Sequence, residues 1–397
     1  MPQSRPEPSS SKLSTFLSRF TRVTSSGRYM PEIDGLRFVA IMAVILYHSH
    51  VFFFAKPIPD SICSPISWDW LNYAMGHGWF GVQVFFVISG FVLALPFASQ
   101  HLEGKRAVDL KNYYSRRVVR IGFPYIIALT AGLITSLALG MQFSEALRCY
   151  ALGLIYSYSA FSDGLLNPIL YVSWTLEIEI QFYLLAPLLG KVFALRSSWA
   201  RISTLVISMF AICLLSDELS RWLSTELRAH SILGQLQFFL AGLLLAEFYI
   251  SYWKHRSSRA EVRCIWDFVG ICAWLFIPFS LHLEGFSHWR AFLVLLAFSC
   301  VLKGSLLKRI LSFRLFSTIG GMCYSIYLFH GACLEIFVRH VFALFIEEST
   351  GVWPRNLFLL GILTTMTILT CCLAYYFIER PSMMWGSKKK NEQDHIT

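Results

Sequence analysis

Charge is what this chain has least of. Only 15% of its 397 residues are Asp, Glu, Lys or Arg, against about a quarter in an ordinary soluble domain. With 55% of the residues apolar and 16% aromatic, too little polar surface remains to coat a water-facing globule. Acidic residues are the scarcer sign, 24 against 34 basic ones, which leaves a net charge of +10. Nucleic-acid binding would also need a basic surplus, but here the cations sit in short runs between long apolar segments, so no nucleic-acid partner is expected. Paired cysteine spacing is missing too. The ten cysteines include no CxxC and fall mostly inside apolar runs, so they read as small packing residues and no metal site is expected. The first 30 residues are rich in Ser, Pro and Arg and lack the long apolar core of a cleavable signal peptide.

What the chain does have is ten apolar runs, near 33–54, 79–98, 121–140, 169–190, 202–216, 231–253, 265–283, 290–306, 323–346 and 357–378. Crossing a hydrocarbon core of ~30 Å takes about 20 helical residues, which most of these runs supply. The expected fold is therefore all-α, a polytopic membrane protein of about ten transmembrane helices. The 202–216 and 290–306 runs are marginal in length, and 147–161 is too short and broken, an interfacial or re-entrant piece. The connecting segments carry an independent signal. Placing 1–32 in the cytoplasm puts 99–120, 191–201, 254–264, 303–322 and the tail from 379 there as well. Those six segments hold 26 basic residues and the opposite ones five, the alternation of the positive-inside rule. It implies ten spans with both termini cytoplasmic. Residues 1–30 then form a flexible cytoplasmic leader, 31–381 the transmembrane domain and 382–397 a polar tail.

Polar residues inside spans are costly, so chemistry is sought among them. Asp34 and Arg37 open the first run and His48 follows eleven positions after Arg37. Eleven helical residues rise about 16 Å and return to within ~20° of the same face, so Arg37 and His48 share a stripe. Two readings stay open: a functional pair, or an arginine snorkelling to the headgroups with a hydrogen-bonded histidine near the far interface. The fourth run carries Glu177 and Glu179, ~200° apart on a helix, so one faces the bundle interior and the other a neighbouring helix or a water-filled pocket. Either could also pair with Arg37 or Arg339. Arg116, Arg117 and Arg120 precede the third run, and the i, i+3 spacing lets Arg117 and Arg120 converge on one phosphate-bearing ligand. The positive-inside rule alone would also place basic residues there. The ninth run brings His330, either functional or a packing histidine. Ser89 and Gly90 in the second run read as small residues that let helices approach.

In order, the chain shows Asp34-Gly35-Leu36-Arg37 with His48; Phe85-Phe86-Val87-Ile88-Ser89-Gly90-Phe91; Arg117-Val118-Val119-Arg120; Trp174-Thr175-Leu176 with Glu179 and Gln181-Phe182-Tyr183; Tyr324-Ser325-Ile326-Tyr327-Leu328-Phe329-His330; and Phe377-Ile378-Glu379-Arg380-Pro381. This ordered set resembles the acyltransferase 3 family of membrane-bound O-acyltransferases, the type that acetylates O-antigen and exopolysaccharide, from Asp34 to Pro381. The resemblance implies an enzyme that moves an acyl group, by default acetyl, from cytoplasmic acyl-coenzyme A to a hydroxyl of a carbohydrate or glycolipid acceptor. Its setting would be the cell's inner membrane, with acyl-coenzyme A as donor substrate and no permanently bound cofactor. It further implies His48 as catalytic histidine, with Arg37 and Glu179 as its catalytic partners. Arg117 and Arg120, with Arg116 beside them, become the coenzyme-binding group. Asp34, Gln83, Ser89, Tyr183, Tyr327 and His330 are left as supporting or substrate-contacting residues. The sequence departs from the family at Gln83, where an acidic residue is frequent, and at Ile180, where many relatives carry a glutamate. An amide at 83 could hold the His48 ring but would stabilise its cation less well than a carboxylate. The chemistry is consistent with the resemblance: a hydroxyl needs a base to lose its proton as it attacks a thioester, and a histidine suits that task. The acyl chain is expected to thread along the Arg37 stripe toward His48. A competing class, a transporter or flippase for a lipid-linked sugar, would also use intramembrane charges, but predicts inverted repeats and paired broken helices that the sequence does not display.

Overall fold

The computed structural model describes residues 29–54, 73, 75–219, 221–254, 260–283, 285–340 and 352–383. Most of the proposed leader and tail lie outside these, as does the side chain of Arg339. The described residues are mostly helical and contain no strand. In chain order the helices are α1 (Pro31–Phe54), α2 (Phe80–Leu102), α3 (Leu110–Ala138), α4 (Phe143–Leu154), α5 (Tyr158–Phe161), α6 (Trp174–Leu189) and α7 (Ser198–Leu219). They continue with α8 (Thr225–Ala229), α9 (Ile232–Phe248), α10 (Ala260–Phe279), α11 (Arg290–Lys303), α12 (Leu306–Leu311), α13 (Arg314–Gly321), α14 (Cys323–His340) and α15 (Val352–Ala374). Among the described residues, eight helical segments are long and apolar enough to cross a bilayer. The chain is a polytopic, multi-pass membrane protein.

Eight of the ten expected runs correspond to those segments. The two marginal ones gain length locally. The 202–216 run extends to the 22 residues of α7, and a 3₁₀ turn at Phe286–Trp289 lengthens α11 to an 18-residue segment. Of the other two, one is a shorter α-helix and the second runs to the edge of the described residues. The 169–190 run becomes the 16-residue α6, preceded by a 3₁₀ turn at Tyr171–Ser173 and succeeded by another at Gly190–Ala194. The 323–346 run becomes α14, whose apolar stretch is Cys323–Phe337. Segment 147–161 is the amphipathic α4 and then the single turn of α5. It buries Ala146, Cys149 and Gly153 on one face against α3 and leaves Phe143, Leu147 and Leu154 exposed, the form an interfacial helix takes.

Three helices carry a wide π-helical turn, at Val118–Gly122 inside α3, Tyr249–Trp253 at the end of α9 and Tyr375–Glu379 at the end of α15. Such turns change the direction in which later side chains on the helix point, and they recur at functional sites. The 303–322 connection is a structured cradle. Its α12 and α13 pack beneath the first turns of α1, where Phe38 and Phe316 stack with centroids 4.5 Å apart. Glycines make this approach feasible: a Cβ on Gly35 would run into the Leu311 carbonyl, and one on Gly320 into the Asp34 carbonyl. Pro31, Glu32 and Asp34 suit the first turn of α1, where a missing N–H costs nothing and negative charge meets the positive end of the helix dipole. Glu32 is tied to Lys308 of α12 at 3.0 Å. Gly320→Ala should therefore lower the Tm in detergent by an amount equivalent to about 1–3 kcal/mol. Gly361→Ala, in open space, should leave the Tm unchanged or raised. Equal Tm values for the two variants would refute the backbone contact.

Candidate functional site

Between α1, α2, α3, α6 and α14 lies a cavity of about 1220 Å³, larger than a typical small-ligand pocket. One end is strongly basic: Arg37, Lys105, Arg106, Arg116, Arg117, Arg120 and Lys254 line it, opposed by Asp34, Asp109 and Glu179. The three π turns border this end. Arg120 and Ile121 come from the first, and Tyr249 and Ile250 from the second, with Lys254 directly after it. The third ends at Glu379, the strongest charge acting on Arg120. The Ile121 carbonyl inside the first turn accepts a 2.7 Å hydrogen bond from the Tyr324 hydroxyl of α14.

Several of the charged side chains here are held by defined partners. Arg37 pairs with Asp34 one turn earlier on α1, and both are buried. The alternatives that paired Arg37 with Glu177 or Glu179 are therefore replaced by a local pair. Arg117 folds back over the Tyr113 ring, its guanidinium 3.7 Å from the centroid, and donates to the Tyr113 carbonyl at 2.8 Å. The π turn between Arg117 and Arg120 widens their angular separation beyond that of an α-helix. Both line the same cavity. Glu103, just past the end of α2, bridges Lys254 and Lys105 at the rim. Burial alone would raise the Glu103 carboxyl, but hydrogen bonds from Lys254 and Lys105 outweigh it and hold the group at about 2.

Glu179 points into the cavity and accepts hydrogen bonds from the Tyr183 hydroxyl one turn on and from Ser89 of α2 at 3.1 Å. Ser89 thus serves a carboxylate rather than helix packing. Its neighbour Gly90 does pack, since a Cβ there would strike the Phe239 carbonyl of α9. Glu177 turns away from the cavity and accepts from the Ser159 N–H of α5 at 3.0 Å. One carboxylate therefore lines the cavity and the other pins the interfacial segment, the division expected from their angular separation.

The deep end narrows onto Val82, Phe85, Thr175 and Tyr327. The Thr175 and Tyr327 hydroxyls lie 2.9 Å apart, and each approaches the Val172 carbonyl at 3.3 Å. On the far side of Tyr327, its ring 5.8 Å away, sits His330. His330 is fully buried, and its Nε2 lies 3.0 Å from Nδ1 of His48 on α1. Neither histidine is part of the cavity wall. The His48 ring also meets Tyr47 and Tyr171, with centroids 5.1 and 5.2 Å away, and its Nδ1 lies 3.1 Å from the Val44 carbonyl. Gln83 is buried in α2 with its side-chain carbonyl lacking a hydrogen-bond partner. The polar contacts of the His48 ring are made with Val44 and His330.

The residues singled out in the sequence thus come together in large part: Arg37, Asp34, Arg116, Arg117, Arg120, Glu179, Ser89, Tyr183 and Tyr327 line one cavity, and His48 and His330 lie beside it. Tyr113 was missed, although an aromatic four residues before an arginine on one helix face is a readable signal. The Lys254–Glu103 bridge was missed as well. It joins residues far apart in the chain and leaves no local trace.

A family-wide sequence profile, the acyltransferase domain of the acyltransferase 3 type, matches residues 30–376. The chain belongs to that family. Among curated proteins it is similar to O-acetyltransferase OatA of Staphylococcus aureus strain NCTC 8325 / PS 47, with 25% identity over 398 residues, covering 91% of this chain and 58% of the relative. It is also similar to putative O-acetyltransferase SAS0844 of S. aureus strain MSSA476, with 24% identity over 395 residues, covering 92% and 59%. The chain thus spans under two thirds of the length of these relatives. No solved structure matches it.

A basic end of this kind should bind polyphosphate anions. Charge-assisted hydrogen bonds are worth about 1.5–3 kcal/mol each, so Arg117→Gln and Arg120→Gln should each weaken binding of adenosine 3′,5′-bisphosphate by roughly ten- to a hundredfold in titration calorimetry. Unchanged affinity in both would remove these arginines from the site.

Proposed function

We propose that this protein is a membrane O-acyltransferase that moves an acetyl group from acyl-coenzyme A to a hydroxyl of a carbohydrate or glycolipid acceptor. The observation that carries the reading is one cavity, basic at its mouth and hydroxyl-lined at its deep end, that closes on a residue adjoining two hydrogen-bonded histidines. A nucleotide thioester has the matching polarity, with several phosphates at one end and a neutral acyl group at the other. The names of the relatives, O-acetyltransferase and putative O-acetyltransferase, support acetyl as the group and oxygen as the acceptor atom. The positive-inside bias favours an inner-membrane protein with its termini and the basic mouth in the cytoplasm, where the donor is made.

In this mechanism Arg117, Arg120 and Arg116 hold the phosphates, aided by Lys105, Arg106 and Lys254. Bidentate guanidinium contacts to phosphate give both strength and orientation. Arg37, kept in place by Asp34, extends the positive path inward. Glu179 fixes Tyr183 and Ser89 so that the wall along the pantetheine arm is hydrogen-bonded and rigid. His48 takes the proton from the acceptor hydroxyl as its oxygen attacks the thioester carbonyl, and the carbon–sulfur bond then breaks. The proton held on His48 passes to the departing thiolate, which leaves as the free thiol of coenzyme A. Tyr327 has to shift for the acyl group to pass from the cavity to His48, since its pinned ring forms the wall beside the histidines.

Purified protein given labelled acetyl-coenzyme A and envelope glycan should transfer label to an alkali-labile ester. His48→Ala should lower that transfer by at least ~100-fold, the low end of what a positioned general base supplies, while donor binding persists. Transfer at a near-normal rate by His48→Ala would contradict the proposal.

A further inference from the structure

The hydrogen bonds around the two histidines have only one consistent assignment of protons. His330 Nδ1 faces two main-chain carbonyls, Tyr327 at 2.8 Å and Ile326 at 3.2 Å. Carbonyls only accept, so this nitrogen carries a proton. In a neutral imidazole the other nitrogen, Nε2, then holds a lone pair. That lone pair lies 3.0 Å from His48 Nδ1, which also faces the Val44 carbonyl at 3.1 Å. A lone pair on His48 Nδ1 would be set against two acceptors, so Nδ1 carries the proton and shares it between them. The remaining lone pair of His48 is on Nε2.

We propose that His330 is a positioning residue that fixes His48 in the Nδ1–H tautomer and leaves Nε2 as its single basic atom. The proposal rests on the reading of His48 as the base. In many enzymes the group behind a catalytic histidine is a carboxylate, which both selects the tautomer and stabilises the imidazolium. Here a buried neutral imidazole takes that place, anchored by the carbonyls of its own helix. It selects the tautomer equally well and offers dipolar rather than ionic stabilisation to the cation. Gln83, which could have held the His48 ring, makes no hydrogen bond to it; His330 does. The rings of Tyr47, Tyr171 and Tyr327 surround the pair.

Three substitutions separate this role from simple packing. The amide oxygen of Gln reaches where His330 Nε2 lies, so His330→Gln keeps an acceptor for His48 Nδ1–H. The amide of Asn reaches only the Nδ1 position, so His330→Asn satisfies the helix carbonyls but withdraws the acceptor. His330→Phe removes both. With full-length protein in detergent and labelled acetyl-coenzyme A, His330→Gln should retain kcat within several-fold of the parent. His330→Asn and His330→Phe should lower kcat by at least ~10-fold, the usual loss when a hydrogen-bonding support is removed, with the donor KM unchanged in all three. Asn performing as well as Gln, Gln failing as badly as Phe, or donor KM rising in step with the loss of kcat would each overturn the proposal. His48→Ala run alongside distinguishes the failures. If His48→Ala stays active, the base assignment itself is wrong. If it is inactive while His330→Phe is fully active, only the positioning role is wrong.

Discussion

A carboxylate carried into hydrocarbon must meet donors or cations there, because leaving it unpaired costs several kilocalories per mole. This chain buries several and gives each one a partner from another part of the fold or from its own helix. Asp34 is met by Arg37, and Glu247 by a two-pronged contact with Arg201. Glu379 receives the main-chain N–H and hydroxyl of Ser325 at 3.0 and 2.6 Å. Asp267 of α10 caps the start of α12 through the N–H groups of Ser305, Leu306 and Leu307. These anchors tie α7 to α9, α14 to the end of α15 and α10 to α12, and brace the first turns of α1. The cavity is walled in part by the braced α1 and α14.

This anchoring shapes function in two ways. The polar groups within the bundle are sorted by side, with cations and their counter-ions around the mouth, hydroxyls at the deep end and imidazoles beyond it. That order parallels the polarity of a nucleotide thioester. Tyr327, which lines the cavity and lies beside His330, is held by Thr175 near the start of α6. In the proposed function, the place of His48 outside the cavity wall shields the base from the aqueous mouth. Such shielding disfavours transfer of the acyl group to water.

The helical architecture and several of the polar groups that line the cavity were legible in the sequence because both rest on short-range patterns. Hydropathy over some twenty residues finds α2 or α9, and the eleven-residue step from Arg37 to His48 places them on one stripe of α1. Glu177 and Glu179 parted to opposite faces as two residues on one helix must. What escaped depends on pairings across the bundle. Ser89 looked like a packing residue, since nothing near it in sequence reveals the carboxylate 90 positions away. The α12–α13 cradle was hidden in a connecting segment, because Gly35 and Gly320 signal a close approach only when brought together. The contact between His48 and His330 spans 282 positions, so only the fold could reveal it.

The central claim is that one cavity receives a nucleotide thioester through its basic mouth, and a photoreactive analogue of acyl-coenzyme A tests it most directly. Illuminated with the protein in sealed inside-out vesicles, an analogue with its photophore on the acyl group should label peptides from Phe85–Ser89, Thr175–Tyr183 and Tyr324–Tyr327, and excess coenzyme A should suppress the labelling. Labelling confined to other helices, or equal labelling when only the opposite membrane face is exposed, would contradict it.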